Sequence, residues 1–238
     1  MNNSIQDEFI STVSHEMRTP LTSIRGFSKT LLSSWDRIDD DNKKKFIKII
    51  EEQSNRLINL VENILTVSKA NAGSIVMKKV FINASIDSII PMFKEQYKYH
   101  KFEFVPQKDL PAARLDDDKF QQIMTNLIDN AGKYSEDGST ITISTDTKGE
   151  SIIIKVKDEG VGIKKEDGDK LFKKFSRIEN HLTSKTQGNG LGLYITKQLV
   201  ESMNGSITFE SEENKGTVFI VTFPVFNEEE ALKCSQKS

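Results

Sequence analysis

Residues 10–31 read ISTVSHEMRTPLTSIRGFSKTL, and the spacing of their apolar positions decides the first part of the fold. Ile10, Val13, Met17, Pro20, Ile24, Phe27 and Leu31 follow a three-four alternation, the repeat of a helix that buries one stripe against another helix. Phe46, Ile50, Gln53, Leu57, Leu60, Ile64 and Val67 repeat the pattern, and Ile49 and Val61 widen that second stripe. The stretch from Ser33 to Asp41 is polar, with Asp39, Asp40 and Asp41 as N-cap candidates for the second helix. Two helices bury little surface by themselves. The economical architecture is an antiparallel helical hairpin that pairs with a second copy to make a dimeric four-helix bundle.

With Ile10 at heptad position a, His15 falls at f, farthest from the seam and open to solvent. A neutral imidazole is a usable nucleophile near neutral pH. Glu16 beside it can hold the proton of the other ring nitrogen and favour the nucleophilic tautomer. Pro20 lacks an N–H and is expected to bend or loosen the helix just past the histidine. A lone surface histidine would carry no argument; this one stands in a block, Ser14-His15-Glu16-Met17-Arg18-Thr19-Pro20-Leu21. His100 and His181 have no such surroundings and read as ordinary surface or lid residues.

Past the linker Ala70-Asn71-Ala72-Gly73-Ser74 the pattern becomes mixed. Strands are expected at Lys79–Ile82, Phe102–Val105, Thr140–Ser144, Ser151–Lys157, Ser206–Ser211 and Thr217–Phe223. Helices are expected at Ser85–Tyr97, capped by Asn83 or Ser85, at Asp116–Tyr134 and at Gly190–Met203. Such grouping predicts a two-layer α/β sandwich. The expected domains are 1–72 for the hairpin, 73–226 for the sandwich, and a charged, disordered tail at 227–238.

Three further blocks carry chemistry. Asn126 and Asn130 lie four apart on one helix face, with Lys133 and Tyr134 following. Their amide oxygens suit Mg²⁺, which binds partly through substrate phosphates. Asn130 is the first candidate ligand and Asn126 the second, while Lys133 can reach a phosphate and Tyr134 can pack on a ribose or base. Asp158 ends a β-branched run and precedes Gly160 and Gly162, so its carboxylate can accept from an adenine amine while the glycines let backbone approach a flat base. Gly188, Gly190, Leu191 and Gly192 open a helix whose first N–H groups make an anion site. This run lacks the strand before it and the Gly-Lys-Ser/Thr ending of a P-loop. Between the glycine blocks, Ile163–Gln187 is expected to form a lid, anchored by Phe172 and Phe175. Arg177 could reach phosphates or the helical bundle from there, and Gly168 is expected to loosen the lid.

Taken in order, the histidine block, Asn126–Ser135, Asp158–Ile163 and Gly188–Leu193 resemble the core of a two-component sensor histidine kinase. The resemblance covers about Phe9 to Pro224. It implies a nucleotide-binding fold shared with gyrase, Hsp90 and mismatch-repair ATPases. It also implies ATP with Mg²⁺ as phosphate source, His15 as acceptor, and an aspartate on a response regulator receiver domain as the next acceptor. In related kinases the residue at Thr19 serves dephosphorylation of the regulator. Docking of the regulator is expected along Ser23, Gly26, Phe27 and Thr30. A mechanical clamp ATPase of the gyrase or Hsp90 type is the enzymatic alternative, disfavoured by the absence of its catalytic Glu near Asn126. A dimerising scaffold without turnover is the non-enzymatic one.

Composition sets outer bounds. The chain has 238 residues, 29% charged and 36% hydrophobic, with a net charge of −2, so no basic field favours nucleic acid or a membrane surface. Its one cysteine, Cys234, excludes an internal disulfide framework and suits a reducing cytoplasm. No apolar run is long enough to span a bilayer. The family usually carries a sensory region ahead of this core, so the expected setting is cytoplasmic, either as part of a membrane-bound sensor or with a sensing partner.

Overall fold

The computed structural model describes residues 2–69, 75–176, 178, 182 and 190–227, leaving aside the side chains of residues 2–10, 63 and 66–69. The chain forms two compact units, Met1–Lys69 and Ala70–Ser238.

The first unit is a hairpin of two long helices, α1 (Asn2–Ser34) and α2 (Asp40–Lys69), joined by a 3₁₀ turn at Trp35–Arg37. Asp39 starts α2: its Oδ1 accepts the Asn42 N–H at 2.9 Å and its carbonyl accepts the Lys43 N–H at 3.0 Å. The Asn42 N–H holds the Asp39 carboxyl below its ordinary pKa. Pro20, Leu31 and Leu60 are buried in the seam, and Phe27 packs on Phe46 with centroids 5.0 Å apart. α1 runs through Pro20 as one helix. Leu21, Ile47, Ile58, Val61 and Leu65 stay exposed in the single chain, so the hairpin leaves apolar surface that its own seam does not cover.

In the second unit a five-stranded sheet has the order β2-β4-β5-β7-β6, built from β2 (Lys101–Val105), β4 (Thr140–Lys148), β5 (Ser151–Lys157), β7 (Gly216–Pro224) and β6 (Ser206–Glu212). The β2–β4 pair is parallel and the others antiparallel. β1 (Lys78–Val80) and β3 (Ala113–Leu115) form a separate two-stranded ribbon. Three helices, α3 (Ile82–Gln96), α4 (Asp117–Lys133) and α5 (Gly192–Ser202), complete the unit. Alternate residues Ile152, Ile154 and Val156 of β5 and Phe219, Val221 and Phe223 of β7 are buried. So are Ile86 and Phe93 of α3, Phe120, Ile123, Leu127 and Ile128 of α4, and Ile195 and Leu199 of α5. Phe120 meets Phe223 edge-on at 6.1 Å. This is the expected two-layer sandwich.

Several boundaries differ from expectation for physical reasons. α3 begins three residues earlier, and neither Asn83 nor Ser85 caps it. Asn83 donates to the Gln107 carbonyl and accepts from the Thr145 hydroxyl, while Ser85 donates to Asp117 at 2.7 Å. α5 begins at Gly192, not Gly190, because Gly190 has a left-handed φ of 66°. β3 has three residues and no period to recognise.

Replacing Phe223 by Ala removes a fully buried ring and its contact with Phe120. Urea unfolding of the second unit is expected to show a loss of about 3–5 kcal/mol.

Candidate active site

The phospho-acceptor candidate sits on α1 of the first unit. His15 is exposed, as the f position requires, and Glu16 next to it is half-buried. The Glu16 carboxylate accepts a hydrogen bond from Arg56 of α2 at 3.2 Å, so it is held across the hairpin seam. Thr19, exposed one turn on, donates its hydroxyl to the His15 carbonyl at 3.4 Å. Phe27, placed by sequence both in the seam and on the docking face, belongs to the seam through Phe46. Ser23 is half-buried, and Gly26 and Thr30 are exposed.

In the second unit, the site is organised around Asp158 at the end of β5. Its side chain is buried, and one oxygen, Oδ1, accepts two backbone N–H groups: Gly160 at 2.9 Å and Thr217 at 3.0 Å. The Asp158 N–H donates back to the Thr217 carbonyl at 2.9 Å. Desolvation pushes the carboxyl up to about 6, against the opposing pull of the two N–H donors. Both of these hydrogen bonds fall on Oδ1, which leaves Oδ2 for an external donor such as an exocyclic amine.

The glycine loop after Asp158 is wedged between two backbones. A Cβ on Gly160 would stand 2.2 Å from the Tyr134 carbonyl, and one on Gly162, at φ 66°, 2.0 Å from the Glu212 carbonyl. Hydrogen bonds tie the same loop down: Val161 N–H to the Tyr134 carbonyl at 3.0 Å, Asn214 N–H to the Val161 carbonyl at 2.8 Å, and Ile163 N–H to Ser211 Oγ at 2.9 Å. The loop thus links the end of α4 to the β6–β7 turn. Tyr134 is half-buried there.

Asn126 donates from its amide to Thr196 Oγ1 of α5 at 2.8 Å, and its oxygen lies where a Cβ on Gly192 would stand, 2.4 Å away. Gly192 therefore lets α5 close on α4. Asn130 is half-buried on the same face. Lys133 is paired with Asp129. The neutral amide oxygens of Asn126 and Asn130 fit a hard cation. Among the described residues no cluster of three or more His, Cys, Asp or Glu could enclose a metal, so Mg²⁺ here would be completed by phosphate oxygens and water.

Leu191 is fully buried, and Gly190 packs against the backbone of Phe175 and Ser176. Phe172 meets Phe209 edge-on at 6.1 Å, and a Cβ on Gly168 would stand 3.2 Å from the Phe209 ring, so a larger residue there would need that ring to give way. Arg177, Gly188, Asn189 and His181 lie outside the described residues. His100 is corrected: it is not an ordinary surface residue, since both ring nitrogens are buried and the ring meets Tyr97 edge-on at 5.6 Å. Thr217 and Thr196, which hold Asp158 and Asn126, are absent from the expected set. The Gly216-Thr217 pair after a turn was a local signal for the first; nothing local marks the second.

Asp158→Asn separates stability from binding. A carboxyl whose folded pKa is raised contributes stability present below about pH 4 and lost as pH rises through about 6. At pH 7 the variant is expected to unfold at higher temperature, by up to about 3 kcal/mol, with the difference vanishing toward pH 4. Adenine-nucleotide affinity is expected to fall at least about tenfold. Thermal melts across pH and calorimetric titration measure both.

Known proteins match this arrangement in both units. Residues 5–73 match the His Kinase A (phospho-acceptor) domain, and residues 115–227 match the histidine kinase-, DNA gyrase B-, and HSP90-like ATPase. The chain is 37% identical over 231 residues to the sensor histidine kinase WalK of Bacillus subtilis, covering 94% of this chain and 37% of WalK. It is 34% identical over 220 residues to the signal transduction histidine-protein kinase ArlS of Staphylococcus haemolyticus, covering 92% of this chain and 48% of ArlS. It thus spans less than half the length of these relatives. The structure of histidine kinase ThkA in complex with response regulator protein TrrA has the same fold, with a TM-score of 0.73 at 23% identity, covering 94% of this chain and 63% of that one. A phospho-acceptor hairpin followed by an ATP-binding sandwich, in this order and with these relatives, places the chain in the two-component histidine kinases as their catalytic core.

Proposed function

We propose that this chain phosphorylates its own His15 from ATP and passes the phosphoryl group to an aspartate of a response regulator receiver domain. The observation that carries the proposal is His15 itself: exposed on α1, beside a carboxylate, within the stretch that matches the phospho-acceptor domain. The unprotonated ring nitrogen of His15 attacks the γ-phosphorus. An N–P bond forms, the bond from the γ-phosphorus to the β,γ-bridging oxygen breaks, and ADP leaves with that electron pair. The proton on the other ring nitrogen passes to Glu16. Asp158 receives the adenine amine, and the Gly160–Gly162 loop lies along the base. Tyr134 packs on the base or ribose, and Lys133 pairs with phosphate. Gly190, Leu191 and Gly192 line the phosphate end. Asn130, assisted by Asn126, would hold Mg²⁺, which offsets phosphate charge when bound.

The exposed apolar surface of α1 and α2 supports a homodimer that closes the four-helix bundle. The regulator would dock along Ser23, Gly26 and Thr30; the ThkA structure, solved with a response regulator protein, supports a partner of that kind. Thr19 would orient water for hydrolysis of the phosphorylated regulator. Among the described residues no helix is long and apolar enough to cross a membrane; the relatives' names support a place in a longer sensor.

Incubation with γ-labelled ATP and Mg²⁺ tests the proposal. The wild type is expected to gain acid-labile, base-stable label, while His15→Ala and Asn130→Ala stay blank. Nucleotide binding without labelling of the wild type would overturn it in favour of a scaffold.

A further inference from the structure

The Asp129 carboxylate stands next to the proposed phosphate ligand and is held there by another helix. Its Oδ2 pairs with Lys133, one turn on. Its Oδ1 accepts the Tyr97 hydroxyl at 2.7 Å and the Gln96 amide at 3.2 Å, both from the C-terminal end of α3. The Tyr97 hydroxyl also lies 3.3 Å from the Asp129 carbonyl. Space for this ring comes from Gly132, where a Cβ would stand 2.8 Å from the Tyr97 ring. On its other side Tyr97 meets His100 edge-on. A carboxylate merely pairing with a surface lysine needs none of this support, and such half-exposed pairs stabilise a helix little.

We infer that Asp129 is an internal competitor for Lys133, a fixed anion that the nucleotide's phosphates must displace, and that Tyr97 and Gln96 set how tightly it competes. The inference rests on Lys133 being a phosphate ligand. The chemistry follows from charge. Lys133 carries one ammonium, and the carboxylate and a phosphate compete for it. Donors from Tyr97 and Gln96 spread the carboxylate's charge and weaken its hold on the ammonium. Removing the carboxylate's charge therefore frees Lys133, whereas removing the donors tightens its capture. Tyr97 and Asp129 are thus positioning residues, acting on phosphate through Lys133.

The test is calorimetric titration of the full chain, in Mg²⁺, with a non-hydrolysable ATP analogue and with adenosine as a base-only probe. Lys133→Gln is expected to weaken the analogue about fivefold or more. Asp129→Asn is expected to tighten it about three- to tenfold, and Tyr97→Phe to weaken it about two- to threefold. Adenosine affinity should stay constant in all three. In the Lys133→Gln background the other two substitutions should have no effect on the analogue. A merely structural role would move adenosine and analogue together. The inference is overturned if Asp129→Asn weakens the analogue or leaves it unchanged, or if its effect survives without Lys133. An unchanged affinity in Lys133→Gln alone would instead remove Lys133 from the phosphate site.

Discussion

One buried carboxylate, Asp158, ties the nucleotide-binding unit together. It stands at the end of a central strand, and its Oδ1 gathers the N–H of Gly160 from the loop that follows and the N–H of Thr217 from the start of the neighbouring strand β7. Burying a charge costs free energy unless hydrogen bonds offset it, and here two donors offset it only in part. The remainder is available to a ligand that supplies a further donor. The same loop packs closely on its neighbours, Gly160 on the Tyr134 carbonyl and Gly162 on the Glu212 carbonyl. A Cβ at Gly160 would stand 2.9 Å from Oδ1 of Asp158, so a side chain there would move the carboxylate as well as the loop.

The hairpin meets a different constraint. In the proposed reaction His15 must be reached by two different partners, and it is exposed while Pro20, Leu31 and Leu60 are buried in the seam. Glu16 is tethered to Arg56 of α2, which ties the geometry beside the histidine to how the two helices pair. A change in helix pairing would thus reach Glu16, the proposed proton acceptor, directly. Pro20 leaves one helical hydrogen bond unmade just beyond the histidine without ending α1.

Most of the architecture was legible because the periods are strong. The three-four repeat from Ile10 to Leu31 announces a paired helix, and the β-branched run at Ile152–Val156 announces a buried strand. The candidate nucleotide residues were legible because their spacing places them on one helix face or in one loop. What stayed hidden depends on partners far along the chain. Asn83 and Ser85 look like helix caps until Gln107, Thr145 and Asp117 claim them. Thr196 is an ordinary helical threonine until Asn126, seventy positions earlier, donates to it. The burial of the His100 ring nitrogens depends on tertiary packing that no local pattern encodes.

The most direct measurement is an NMR titration of the Asp158 carboxyl carbon, in the protein alone and saturated with adenosine. The account predicts a pKa near 6 without ligand, falling when the adenine amine donates to the charged form. A value at the ordinary 3.8 in both states would contradict it, because Asp158 would then be neither desolvated nor in contact with the base.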